Sequence, residues 1–108
     1  MDYDVVAEES FGNDYESTTN YLDESLGNPQ ASKRLVVAIR DAVCLLKTMP
    51  SLHAISRKPV LAAREMREHP VGSYVIVYQV DEDANVVRLH RLFHQSQQFD
   101  DEWYWRRN

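Results

Sequence analysis

The sequence predicts an α+β fold: an N-terminal strand, then a two-helix antiparallel hairpin packed on a mostly antiparallel sheet that ends in a three-strand meander. Three observations carry that expectation. Residues 73–80 (SYVIVYQV) and 85–94 (NVVRLHRLFH) are two strand-like runs separated by a polar connector, Asp81-Glu82-Asp83-Ala84. Residues 11–49 instead carry apolar residues at helical spacing. Finally, Gly and Pro number only three and four, and 44% of the chain is hydrophobic, which fits a packed domain rather than disorder.

The elements follow in order. Tyr3-Asp4-Val5-Val6-Ala7 is short and β-prone, a first strand that joins the sheet later. Ser10 suits an N-cap. Phe11, Tyr15, Leu22 and Leu26 then mark one face of a helix, with Asp14 and Glu16 near its positive end. Gly27 suits the position after a helix. Asn28 and Pro29 suit the cap and first turn of a second helix. Its stripe is Leu35, Ile39, Ala42, Val43, Leu46 and Met49, and Pro50 stops it. Neither helix would be stable alone, so both must lay their stripes on the sheet. Cys44 falls within the second helix as a small, half-buried residue. Residues 51–59 (SLHAISRKP) have no periodicity and read as a loop. Residues 60–66 (VLAAREM) read as the first strand of the meander, with a turn at Pro70 and Gly72.

Length and composition set outer limits. One domain covering residues 1–108 is expected at this size. No apolar run approaches the roughly 20 residues that span a bilayer, and the acidic start is unlike an export signal. A single cysteine forms no internal disulfide and no thiolate cluster, which fits a reducing cytoplasm. Net charge is −5 but uneven: residues 1–32 hold eight acidic and no basic side chains, whereas residues 33–69 hold eight basic and three acidic ones. An acidic protein is a poor general nucleic-acid binder, yet its basic middle can form a local patch.

The chemistry-bearing residues are cations near the meander. Strict alternation puts Arg88, His90 and His94 on one strand face and Leu89, Arg91 and Phe93 on the other. His90 and His94 would stand about 13 Å apart, too far to share a metal ion. No Gly-rich phosphate loop and no nucleophile elbow is present, so no cofactor is expected. Arginines and a histidine on a sheet suit metal-free cleavage of a phosphodiester. Histidine moves a proton near neutral pH, and arginine forks stabilise the phosphorane. A solvated sheet face with satisfied side chains accounts for the same spacing.

The order strand, helical hairpin, meander, together with Arg67, the run Gly72-Ser73-Tyr74 through Asp81-Glu82, and Arg91-Leu92-Phe93-His94, resembles the RelE/ParE toxin superfamily. The resemblance spans nearly the whole chain. It implies the toxin of a bacterial type II toxin–antitoxin module, of the kind also labelled plasmid stabilisation systems, with a cognate antitoxin as partner. RelE-like members cut mRNA on the ribosome. For that branch the resemblance makes His94 the proton-transfer group and Arg67, Arg91 and Arg64 the phosphate clamps. ParE-like members inhibit DNA gyrase and cleave nothing. Gln95-Ser96-Gln97-Gln98 stand where RelE-like chains place a basic residue, and the next tyrosine is Tyr104. These departures count against nuclease activity, the wording of Pro70-Val71-Gly72-Ser73-Tyr74 and Leu92-Phe93-His94 is at least as ParE-like, and an inactive relative is the third reading.

Overall fold

The computed structural model describes residues 2–96. The elements run β1 (Asp4–Ala7), α1 (Glu9–Asn20), a π-helical turn (Tyr21–Ser25), α2 (Pro29–Thr48), α3 (Pro59–Ala63), β2 (Arg67–Val71), β3 (Tyr74–Asp81) and β4 (Val86–His94). The expected α+β architecture is present, with the helical hairpin on one face of a four-stranded sheet ordered β1-β4-β3-β2. The meander β2-β3-β4 is antiparallel. β1 adds to its far side, parallel to β4.

α2 begins as its sequence indicates: the Asn28 side chain accepts a hydrogen bond from the Ala31 amide, and Pro29 fills the first turn. Its stripe meets the sheet through Leu35, Ile39, Ala42 and Leu46. α1 contributes Phe11, and the π-turn Leu22, to the same core. Cys44 is exposed, not half-buried as expected, because it lies off that stripe. Ser10 is not a cap. The helix starts one residue earlier, and the Ser10 hydroxyl donates to the His90 carbonyl at 2.6 Å.

Residues 60–66 are not a strand. Pro59 opens the short helix α3, which ends at Ala63, and the meander starts only at Arg67. Of the stretch VLAA only Val60 is β-prone; Leu61, Ala62 and Ala63 favour helix, and Pro at the first helical position pre-sets the backbone for a turn of it. α3 has a job on the other side of the sheet. Leu61, with Met66, Val75, Val77 and Phe93, forms a second small core there. Two covered faces explain why β3 reads as a continuous apolar run rather than an alternating one: Val75 through Tyr78 are all buried. The turn from β2 to β3 rests on Gly72, at φ +59°, a conformation in which a side chain is strained. Pro70 lies within β2 and not in that turn; an edge strand tolerates its missing N–H.

β4 carries a bulge. Val77 pairs with Arg91 but Tyr78 pairs with Leu89, so His90 is the extra residue. The expected alternation is thereby broken. Leu89 and Leu92, three apart, both join the helix-side core, while Phe93 joins the opposite one. Arg91 therefore does not share a face with Leu89. His94 pairs with Tyr74 and leaves the face of Arg88 and His90.

Candidate functional site

The bulge lies where β4 loses its strand neighbour. β1 pairs only with the stretch from Val86 to Leu89, so the rest of β4 would expose main-chain groups on that side. α1 covers them. The Ser10 hydroxyl takes the His90 carbonyl, and Asp14 Oδ2 accepts the Leu92 amide at 3.0 Å. The same carboxylate grips Arg91 in a fork, with Nε to Oδ2 at 2.7 Å and Nη2 to Oδ1 at 2.8 Å. Arg91 is 1% exposed, and its guanidinium also lies 5.1 Å from the Phe93 ring centre. Such a bidentate, desolvated pair fixes α1 to β4.

Above this pair a groove of about 1130 Å³ opens between the helices and the ends of β3 and β4. Leu22, Leu26, Leu35 and Leu92 make it apolar, and Arg34, Tyr74 and His94 give it polar points. Tyr21 and Leu26 are 52% and 56% exposed although large and apolar. His94 packs edge-on against Tyr74, with ring centres 5.2 Å apart, and its Nδ1 lies 2.7 Å from the Ser96 hydroxyl. Burial pushes the Tyr74 hydroxyl above its ordinary pKa, and nearby Tyr21 adds to the effect.

The four candidate site residues fall in different places. Arg91 and His94 both line the groove. Arg67 begins β2, where its Nη1 donates to the His53 carbonyl at 2.5 Å. It also borders a shallower hollow with Arg88, Glu65, Asp81, Glu82 and Asp83. Arg64 ends α3, and its carbonyl accepts from Gln79 Nε2 at 2.6 Å. Gln79 Oε1 in turn meets His90 Nε2 at 3.0 Å, so this ring nitrogen carries the proton. His90 is held below the usual histidine value, chiefly by burial; Glu8 opposes the shift and Arg88 adds to it. Sequence reasoning missed Asp14 as the partner of Arg91, because 77 positions separate them. The available signal was an arginine inside an apolar strand run, which requires an anion once buried.

Among the described residues no group of three or more potential ligands is placed to hold a metal ion. No helix there is long and apolar enough to cross a membrane. The aromatic tail Trp103-Tyr104-Trp105, singled out in the sequence, lies outside the described residues.

Comparisons with known proteins agree with this architecture. A family model described as the ParE toxin of type II toxin–antitoxin systems, parDE, matches residues 5–99. Among solved structures, the RelBE2 toxin–antitoxin complex of Mycobacterium tuberculosis is similar with a TM-score of 0.62 at 18% identity, covering 87% of this chain and 99% of that one. A chromosomal ParDE system from P. aeruginosa matches with a TM-score of 0.64 at 12% identity, covering 85% and 95%. Free E. coli toxin RelE, in mutant form, matches with a TM-score of 0.62 at 13% identity, covering 93% and 90%. At these identities the structural likeness establishes the fold. No curated protein sequence matches the chain.

Proposed function

The chain belongs to the ParE toxin family of type II toxin–antitoxin systems, and we propose that it arrests growth by binding a macromolecular target and not by cutting RNA. The observation that supports this reading most is the state of Arg91. A phosphate clamp must offer its guanidinium fork to substrate, and here the fork is already filled by Asp14 and Arg91 itself is buried. The other three candidates do not converge on it. Arg67 and Arg64 lie at the start of β2 and the end of α3, whereas His94 lies on the groove beside Tyr74. Metal-free cleavage of RNA needs a base, an acid and cations around one phosphate. By the family resemblance, the target of such a binding toxin is DNA gyrase.

The partner that restrains it is a cognate antitoxin. The solved RelBE2 relative is a toxin–antitoxin complex. An amphipathic, acidic antitoxin helix suits the groove: apolar anchors would meet Tyr21, Leu22 and Leu26, and a carboxylate would meet Arg34. The basic middle of the chain supports the same choice of charge.

Controlled expression in cells, with mRNA 5′ ends mapped by primer extension, separates this reading from ribosome-dependent mRNA cleavage. Growth arrest without new ends, together with inhibition of purified gyrase supercoiling, is the expected result. New ends inside translated codons that vanish in His94→Ala or Arg67→Ala would overturn it in favour of the nuclease.

A further inference from the structure

The chain between α2 and α3 lies on the outer edge of β2. Ile55 bridges to Arg67, and the Ser56 amide donates to the Met66 carbonyl at 2.8 Å. Ser56 Oγ and Lys58 Nζ both reach the Glu68 carboxylate, at 2.7 and 2.8 Å. Further along, one contact ties this segment to the middle of the strand: His53 Nε2 and His69 Nδ1 are 2.8 Å apart, with ring centres 5.0 Å apart. Beneath them the Tyr78 hydroxyl is fully buried without a well-formed hydrogen bond, against the His53 main chain and Arg67.

We propose that residues 52–58 form a strap over the β2 edge, held shut by a proton between His53 and His69 and released when both rings become charged. The chemistry is direct. Two imidazoles share a hydrogen bond only if one nitrogen donates and the other accepts, so at least one ring must be neutral. A second proton removes the acceptor and sets two cations side by side. The surroundings do not offset that charge. Arg67 adds a cation, with its guanidinium on the His53 carbonyl. Glu68, the neighbouring carboxylate on β2, is engaged by Ser56 and Lys58. Tyr78, from β3, presents a neutral hydroxyl whose pKa burial pushes up. His69 is accordingly kept below the usual histidine range, by burial first and by His53 second. Opening would uncover the outer main-chain groups of an edge strand, which are the groups an added strand pairs with.

Amide hydrogen exchange on the full-length chain tests this at about pH 7.5 and about pH 5, on either side of the ordinary histidine pKa. After correction for intrinsic rates, residues 52–58 and those β2 amides that face the strap and not β3 should lose protection on the order of tenfold at the lower pH, with β3 and β4 unchanged. His69→Gln retains a hydrogen-bonding side chain and does not titrate, so its strap should stay protected at both pH values. His53→Ala should be unprotected at both. Equal strap protection in the wild-type protein at both pH values would overturn the proposal. The same pH-dependent loss in His69→Gln would also overturn it, and this arm decides the matter even if His53→Ala fails to fold.

Discussion

Asp14 shows how much one side chain can hold. Its two oxygens satisfy Arg91 and the Leu92 amide, and so secure α1 to the part of β4 that has no strand beside it. Asp14→Asn keeps the shape but leaves a permanently charged guanidinium buried without an anion. We expect a loss of about 3–5 kcal/mol, read as a lowered urea midpoint. Replacing both partners, as in Asp14→Leu with Arg91→Met, should recover much of that loss, because the uncompensated charge is then gone. A double variant no more stable than Asp14→Asn would place the cost in the Leu92 hydrogen bond. By contrast, the pair between Arg88 and Glu8, at 3.5 Å and partly exposed, should contribute little. Gly72 is a second residue-scale test. A Cβ there meets no atom within 4 Å, so any cost comes from the backbone alone. Gly72→Ala should destabilise by about 1 kcal/mol with the fold unchanged, by the same urea measurement.

At the scale of elements, the pH dependence of stability follows from two half-buried histidines. His69 on β2 and His90 at the bulge both have pKa values depressed by burial. The unfolded chain therefore binds their protons more readily than the folded one. Stability should be flat above the unfolded value of about 6.5 and fall as pH drops below it. Urea midpoints from about pH 7.5 to about pH 5 measure this, and the combined His69→Gln and His90→Gln variant should flatten the curve. A midpoint that rises on acidification would contradict both assignments. The same elements mark what sequence reasoning reaches. The helical stripe of α2, its Asn28-Pro29 start and the β3–β4 hairpin were legible because each is encoded by neighbours a few positions apart. α3 was not, since five residues are too few to show a helical period, although Leu61, Ala62 and Ala63 favour helix and Pro59 suits a first turn. The bulge was not legible either, because one inserted residue inverts every side chain after it. That inversion misplaced Arg91 and His94 together, so the faces on which the two candidate side chains stand were not legible in the sequence.

For the whole molecule, the groove and the charge layout bear on how the toxin is held. The helices and sheet leave Tyr21 and Leu26 largely exposed beside buried Leu22 and Leu35, with Arg34 at the margin. Exposed side chains contribute little to folding, so changing them separates binding from stability. Leu26→Lys should therefore leave the urea midpoint within about 0.5 kcal/mol of wild type. If an amphipathic antitoxin helix anchors in the groove, the same change buries a charge against an apolar partner. We expect cognate antitoxin, titrated by calorimetry, to bind at least about tenfold more weakly, equivalent to about 1.4 kcal/mol. Arg34→Glu should weaken it further, with a steeper loss at low salt because the interaction is between charges. Unchanged affinity in both variants would move the antitoxin off the groove. The β1 edge, or the β2 edge once residues 52–58 lift from it, would then be candidates to hold it by strand addition.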